Sequence, residues 1–303
     1  MNSNTLIVVA GPTAIGKTDL AIKIALNYRT EIVSADSRQF YKEMSIGTAK
    51  PNEAETSAVK HHFVDSISID QTYSAGKFES EALSTLENIF QKQPIAVLVG
   101  GSGLFVKAVT EGFDEFPDVD PAVRETLNRK YSEEGIAVLQ SQLKSVDPAY
   151  ASEVDLDNPQ RIIRALEVCL STGQAYSSFR AKNARNKRHF TSIKIGLNME
   201  RPQLYDRINR RVDLMMEQGL LQEVERLLPY RHLNALNTVG YSEIFDHLDG
   251  KITLDEAVER IKQNTRRFAK RQLTWFRKDS EITWFHPDDY PSIISFIDAR
   301  LKA

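Results

Sequence analysis

TLIVVAGPTAIGKT, residues 5–18, reads as a buried strand joined to a phosphate-binding turn. Thr5 to Ala10 is an uncharged, β-rich run, the pattern of a strand covered on both faces. Gly11-x-x-x-x-Gly16-Lys17-Thr18 follows it with P-loop spacing. Glycines let the backbone wrap closely enough for several N–H groups to converge on one anion. The helix that begins there adds its positive dipole end. Lys17 adds a full charge, and the Thr18 hydroxyl is placed to hold Mg²⁺. Gly11, Pro12, Thr13, Ala14, Ile15, Gly16, Lys17 and Thr18 are therefore expected to hold a phosphate or diphosphate. The motif does not by itself specify ATP. A plain strand-to-helix turn is the competing reading, and chance produces this spacing too seldom to favour it.

Working outward, Asp19–Tyr28 has helical periodicity, with Leu20, Ile24 and Tyr28 on one side. Glu31–Ala35 (EIVSA) reads as a second strand and ends at Asp36. Ile95–Val99 (IAVLV) reads as a third and ends at Gly100-Gly101. This alternation predicts an α/β fold with a P-loop NTPase-like parallel sheet core flanked by helices. From about Glu115 the pattern changes. Pro117 and Pro121 break the chain, and residues 122–180 are helical in pattern with no convincing strand. Ser192–Leu197 (SIKIGL) returns as a strand, and long amphipathic helices dominate from Gln203. The expected organisation is a core of residues 1–115 and 191–303, with a helical insertion domain at 116–190.

Composition narrows the class. The 303 residues are 41 % hydrophobic and 26 % charged, as in ordinary globular proteins, and the net charge of −2 argues against a non-specific nucleic-acid coat. No apolar run approaches the ~20 residues that cross a bilayer. The amino terminus lacks the basic start of a signal peptide. The single cysteine, Cys169, excludes an internal disulfide and a Cys-rich zinc site. A cytoplasmic protein without a membrane partner is expected. Cys169 lies in an apolar helical pattern and reads as core. His61-His62 reads as packing, because adjacent side chains diverge and no third metal ligand is evident.

Two acids and two basic stretches stand out by absence or presence. P-loop enzymes that hydrolyse nucleotides carry an acid at a strand end for Mg²⁺. Here IAVLV runs into Gly100-Gly101-Ser102-Gly103 instead, and the strand-end acid is Asp36. Carboxyl ends of parallel strands line the ligand crevice, so Asp36 is expected near whatever Lys17 binds, as a metal ligand or a base. Arg260 to Lys278 carries eight cations and no acid. Helical spacing puts Ile261, Phe268 and Trp275 on one face, read as core, and leaves the cations without local compensation. A smaller patch comprises Arg180, Lys182, Arg185, Lys187 and Arg188. Together these stretches suit phosphates of a folded nucleic acid. Arg161 and Arg164 share a helix face after the cap Asn158-Pro159 and could hold an anion.

With these residues in view, a family resemblance is evident. GPTAIGKT, ADSRQFYKEMSIGTAKP, VGGSGLFVKAV, DNPQRIIRALEV, RINRRVDLMMEQGLLQEV, TVGY and AKRQLTWFR occur in order over about residues 5–278. They resemble the tRNA dimethylallyltransferases, also called tRNA isopentenyltransferases, of bacterial type. The resemblance implies transfer of a dimethylallyl group from dimethylallyl diphosphate to N6 of adenosine-37, beside the anticodon, by a monomer with Mg²⁺. It implies that Asp36 is the base, with Lys17, Thr18 and Ser102 in the catalytic set. Arg211 or Arg207 would hold the diphosphate. Asp36, Ser37, Arg38, Gln39 and Ser102 would meet the target adenosine. Further contacts to the tRNA anticodon stem-loop would come from Arg124, from Gln160, Arg161, Ile162, Ile163 and Arg164, and from Lys270, Arg271, Gln272, Trp275 and Arg277. One departure is visible: basic residues that often flank the VGY motif are replaced by Asn237 and Ser242. The zinc-finger extension of eukaryotic relatives is not expected.

The residue chemistry fits this reading independently. Diphosphate is the leaving group, so a P-loop can stabilise the charge that grows on it, and no hydrolytic acid is required. An adenine amine is a weak nucleophile, so a carboxylate that takes its proton helps, by roughly 10²–10⁴-fold. The alternatives are a small-molecule kinase, prenylation of free adenine nucleotides, and a non-catalytic RNA-binding protein. The basic carboxyl-terminal segment disfavours the second, and Lys17, Thr18 and Asp36 together disfavour the third.

Overall fold

The computed structural model describes residues 4–112, 116–117, 119–180 and 188–302. The chain divides into two compact units: Met1–Thr110 with Arg188–Ala303, and Glu111–Lys187.

In the first unit, strands and helices alternate as β1 (Thr5–Ala10), α1 (Lys17–Tyr28), β2 (Ile32–Ser34), α2 (Glu53–Ala58), β3 (His61–His62), α3 (Ala75–Phe90), β4 (Ile95–Gly100) and α4 (Gly103–Thr110). The six strands of the sheet have the order β3-β2-β4-β1-β5-β6, and every pairing is parallel. Register brings Ala10 level with Gly100, and Val99 level with Ser34. The loops that follow β1, β2 and β4 therefore emerge at one edge.

The β1 residues alternate between two cores. Leu6 and Val8 pack with Phe40, Phe78 and Leu86 on one face, and Ile7 and Val9 with Ile24 and Leu204 on the other. Both faces are covered, which is why this strand reads as a continuous apolar run. The edge strands β3 and β6 (Thr283–Phe285) were not legible as strands. They have two and three residues, too short for a periodic signal. His62 accordingly packs, with its ring bonded to Glu31 at 2.5 Å.

The helical unit contains α5 (Pro121–Glu134), α6 (Ile136–Val146), α7 (Pro148–Glu153), α8 (Pro159–Thr172) and α9 (Tyr176–Arg180). Its core is Leu127, Leu139, Leu143, Ile162, Ile163 and Leu166. Asn158 caps α8 by accepting the Arg161 N–H at 3.2 Å. Cys169 is buried on the same helix, as its pattern predicts.

The chain then returns through β5 (Thr191–Leu197), α10 (Arg201–Glu217), α11 (Leu220–Leu227), α12 (Tyr241–Leu248), α13 (Leu254–Phe276), β6 and α14 (Tyr290–Leu301). Two short 3₁₀ turns, Leu228–Tyr230 and Asn234–Leu236, precede α12. A third core lies here, with Tyr41, Met44, Val212, Val224 and Tyr241.

Helix α13 departs from expectation. Its buried stripe is Ala257, Ile261, Ala269, Gln272 and Phe276. Phe268 and Trp275 remain 38 % and 42 % exposed. Over two heptads the drift of a seven-residue repeat is only about 40°, so Ile261, Phe268 and Trp275 do share a side of the helix, but at 268 that side meets a cavity and at 275 the backbone of Gly103 rather than a packed core. The cations are not all uncompensated either. Lys262 pairs with Asp213 at 2.8 Å and Glu259 at 3.0 Å, and Arg266 donates to Asn209 at 2.6 Å.

Candidate active site

The turn between β1 and α1 is built as its sequence requires. Gly16 caps α1 at φ 98°, a left-handed conformation that costs glycine little. Ile15 is fully buried and anchors the turn in the core. The Lys17 ammonium donates to the Pro12 carbonyl at 2.7 Å, which folds the side chain back across the loop. Arg207 Nε donates to the Ala14 carbonyl at 2.9 Å, tying α10 to the same turn.

The glycines after β4 explain both the missing strand-end acid and the nearness of Asp36. A Cβ on Gly100 would stand 2.3 Å from the Ala35 carbonyl oxygen. A Cβ on Gly101 would stand 2.4 Å from Gln272 Nε2 and 3.5 Å from Lys17 Nζ. No side chain fits at Gly100, so the end of β2 lies directly against β4, and one at Gly101 would have to displace the Gln272 carboxamide. Asp36, two residues beyond β2, then reaches the crevice that an acid after β4 would otherwise occupy.

The turn carrying Asp36 is held from several sides. Asp36 Oδ1 accepts the Arg38 N–H at 3.0 Å. Ser102 accepts the Ser37 N–H and donates to the Ser37 hydroxyl, both at 3.1 Å. The Arg38 guanidinium donates to the carbonyls of Asn234, Ala235 and Asn237 at 3.1–3.3 Å. Gln39 donates to the Thr48 and Ala49 carbonyls at 3.2 and 3.1 Å. One oxygen of the Asp36 carboxylate is thus fixed by backbone, and the other makes no hydrogen bond among the described residues.

A cavity of about 760 Å³ joins these parts; Lys17, Thr18, Asp36, Gln39, Arg207, Arg211 and Gln272 line it. Phe268 and Leu214 supply apolar surface in the same wall. Desolvation pushes the Lys17 ammonium down to about 8; the Asp36 carboxylate opposes that fall and the Arg211 cation adds to it. Burial also lowers Arg211, again opposed by Asp36. The cavity lining brings together the cations Lys17, Arg207, Arg210 and Arg211 and the acids Asp19, Asp36, Glu55, Asp206 and Asp288. Asp36 is the acid whose charge acts on both Lys17 and Arg211, an arrangement suited to a multiply charged anion beside a proton acceptor. The Thr18 hydroxyl has no hydrogen-bond partner among the described residues. Those residues contain no cluster of three or more His, Cys, Asp or Glu that could hold a metal ion alone.

Other sequence-predicted contacts have different surroundings. The Thr13 N–H, expected to face the anion, donates to Gln272 Oε1 at 2.8 Å, and Gln272 Nε2 donates to the Gly101 carbonyl at 2.9 Å. Gln272 is 7 % exposed and joins the two loops, and it also lines the cavity with Lys17 and Asp36. Ile162 and Ile163 lie in the helical core, where neither side chain faces solvent. Arg124 and Arg164 both donate to Glu167, a buried acid that the sequence reading overlooked. Its signal was available, since Glu167 follows Arg164 by three residues on α8. Arg164 also lies 5.4 Å over the Phe116 ring. Gln160 and Arg161 are exposed at the start of α8, and Lys270, Arg271 and Arg277 on or just past α13.

In the second basic patch, Arg180 pairs with Glu153 at 2.8 Å and Arg188 with Glu79 at 2.6 Å. Lys182, Arg185 and Lys187 lie outside the described residues. Glu223 was also missed. It accepts the N–H groups of Ser45, Ile46 and Gly47 and the Tyr241 hydroxyl, holding the loop beside Gln39. A lone acid in an amphipathic helix gives no such signal.

Residues 39–279 match the model of the IPPT family, described as IPP transferase. This chain belongs to the IPP transferase family. Among its relatives, the tRNA dimethylallyltransferase of Christiangramia forsetii is 53 % identical and covers 99 % of both chains. The tRNA dimethylallyltransferase 1 of Bacteroides fragilis is 48 % identical over the full length of both. The crystal structure of a tRNA isopentenylpyrophosphate transferase from Bacillus halodurans has a TM-score of 0.74 at 36 % identity, covering 99 % of this chain and 97 % of that one. A eukaryotic dimethylallyltransferase, crystallised acting on tRNA, has a TM-score of 0.78 at 25 % identity, covering 98 % of this chain and 77 % of that one. In this IPP transferase the family-model match begins at residue 39, beyond Asp36, whereas the full-length relatives span the P-loop and Asp36 as well.

Proposed function

We propose that this protein transfers the dimethylallyl group of dimethylallyl diphosphate to N6 of adenosine-37 in tRNA, giving N6-isopentenyladenosine and diphosphate. The observation that carries the reading is that Lys17 and Asp36 line one cavity, in a chain of the IPP transferase family. The names of its relatives support the donor and the acceptor class.

The chemistry follows from the arrangement. The prenyl C1–O bond breaks, and its electron pair leaves with the diphosphate. The N6–C1 bond forms, and the N6 proton passes to the Asp36 oxygen that Arg38 does not hold. Lys17, Arg207 and Arg211 offset the charge that grows on the leaving group. Phe268 and Leu214 offer the five-carbon chain an apolar surface beside those cations. Thr18, which lines the cavity and whose hydroxyl has no hydrogen-bond partner among the described residues, is the residue to hold Mg²⁺. Bound there, the ion would neutralise part of the diphosphate charge. A base in an anticodon loop is stacked, and turning it out costs a few kcal/mol, which contacts between the basic face of α13 and the RNA backbone offset.

The acceptor sets the compartment as the cytoplasm, and no helix among the described residues is long and apolar enough to cross a membrane. The test is incubation with labelled dimethylallyl diphosphate and unmodified tRNA, followed by nucleoside mass analysis. Label on an adenosine beside the anticodon is the expected result. Label on free AMP, or phosphorylation of a small molecule by ATP, would overturn the reading.

A further inference from the structure

We propose that Glu223 is a positioning residue for the choice of base: through the loop at residues 45–49 it holds the Gln39 carboxamide so that its oxygen is the end left for the reacting base, and a 6-amino purine is accepted where a 6-oxo purine is refused. The inference rests on the function proposed above and deepens it. Glu223 does not itself line the cavity. It is 3 % exposed on α11, and four donors stand in for water around it. Oε2 accepts the N–H groups of Ser45 at 3.1 Å and Ile46 at 2.8 Å, and Oε1 accepts the Gly47 N–H at 3.0 Å and the Tyr241 hydroxyl at 2.6 Å. A carboxylate buried this deeply requires such donors. Three successive N–H groups meet one carboxylate only if the loop turns around it.

The peptide groups of that loop carry the constraint to the cavity. The Ser45 and Ile46 carbonyls accept the N–H groups of Lys50 at 3.2 Å and Ala49 at 2.9 Å. The Thr48 and Ala49 carbonyls then accept both bonds of the Gln39 amide nitrogen, at 3.2 and 3.1 Å. Ala49 has φ 45°, a left-handed backbone that alanine keeps only where its surroundings over-determine it. Gly47 is pressed against the Tyr241 ring, and a Cβ there would stand 2.5 Å from Cε2.

The orientation of the carboxamide decides what Gln39 can read. One end donates and the other accepts, so exchanging the ends exchanges the reading. Here the nitrogen is committed to two carbonyls, and the capacity that remains is an acceptor. The oxygen takes one long bond, at 3.5 Å, from the Ser34 hydroxyl. Ser34, Asp36 and Gln39 all line the cavity. The adenine amine has two hydrogens. Asp36 takes one in the reaction, and Gln39 Oε1 is the acceptor for the other. A 6-oxo purine would set its oxygen against two acceptors and leave them unpaired, which is how a buried polar site rejects a ligand that lacks the matching group. With the loop released, the carboxamide would be free to turn its nitrogen inward and bind the 6-oxo group instead.

The experiment uses the full-length protein and two RNA hairpins with an anticodon loop, identical save for adenosine or inosine at the modified position. The ratio of their dissociation constants is the readout. Gln39→Met removes the acceptor and should lower the wild-type preference for adenosine about 10-fold. Glu223→Gln should lower it similarly from outside the cavity, because its amide nitrogen would meet N–H donors and the loop must shift. The KM for dimethylallyl diphosphate should stay within about twofold in Glu223→Gln, which reports an intact fold. Gly47→Ala keeps the carboxylate, disturbs the same loop from the Tyr241 side and should lower the preference in the same direction. In the Gln39→Met background, Glu223→Gln should change the preference no further. A preference unchanged in Gln39→Met, or unchanged in both Glu223→Gln and Gly47→Ala, would overturn the positioning role and leave the function intact. So would a further loss in the double variant, or a donor KM that rises in step with the lost preference. Failure of the wild type to prenylate the adenosine hairpin would overturn both.

Discussion

Gln272 accepts the Thr13 N–H at 2.8 Å from near the carboxyl end of α13, across 259 residues of sequence. The same carboxamide donates to the Gly101 carbonyl, so one side chain braces the P-loop against the loop after β4. Gln272→Leu keeps the volume and removes both bonds. It strands a donor and an acceptor in a buried site, at about 1–3 kcal/mol each. The expected outcome is a lower melting temperature and a fall of about 10- to 100-fold in kcat/KM for the prenyl donor. A KM for donor equal to wild type would mean that the brace does not shape the cradle.

Asp36→Asn separates position from proton transfer. The amide oxygen can still accept the Arg38 N–H, so the turn held by Ser102 and Arg38 should survive. The side chain can no longer act as a base near neutral pH. Turnover should fall by ~10² or more, with hairpin RNA affinity close to wild type. Equal losses of turnover and affinity would assign Asp36 a structural role.

Much of this site was legible in the sequence because it rests on local rules. TLIVVA and GPTAIGKT define a strand, a turn and a helix start without reference to anything distant, and the observed β1 and α1 follow them. Asp36 was legible for a topological reason, since parallel strands send their carboxyl ends to one edge. What failed was long-range. The pairing partners of Gln272 and Arg38 lie roughly 170–260 residues away along the chain, and no spacing rule encodes them. The α13 face failed for a long-range reason too: spacing places Phe268 and Trp275 on the side of Ile261, but there that side meets the cavity and Gly103, and both remain exposed. Glu167 shows the opposite case: its Arg164 partner was three residues away, but a bond to Arg124 on another helix requires the fold.

Not every cation of α13 should matter to RNA. Lys262 and Arg266 serve the contact with α10, through Asp213 and Asn209. Their replacement by alanine should lower the melting temperature and leave the salt dependence of RNA binding nearly unchanged. Arg267, Lys270 and Arg271 make no ion pair among the described residues. Neutralising these three should weaken binding and reduce the slope of log K against log salt by about 2, at roughly 0.7 per phosphate contact. Binding measured across a salt series distinguishes the two groups, and an unchanged slope in the triple variant would remove this face from the interface.

Lys17 makes donor binding depend on pH above neutrality. In the free protein its ammonium loses the proton near pH 8, because desolvation outweighs the attraction of Asp36. A bound diphosphate would place negative charge beside it and raise that value, so binding and protonation are linked. Below pH 8 the ammonium is already formed, and donor affinity should be flat on its account. Above pH 8 a proton must be taken up on binding, and the dissociation constant should rise toward tenfold per unit. Folding has the opposite sign. The folded value lies below the unfolded value of 10.5, so the unfolded chain holds the proton between about pH 8 and 10.5 where the native state does not. The cost of burying this ammonium is complete below pH 8 and disappears across that window. Lys17→Met should therefore bind donor weakly at every pH, with a flat profile above 8. Its stability relative to wild type should decline as pH rises from about 8 to 10.5. Donor titrations and thermal melts of both proteins over that range test the two signs together, and a wild-type binding profile that stays level through pH 9 would remove Lys17 from the diphosphate.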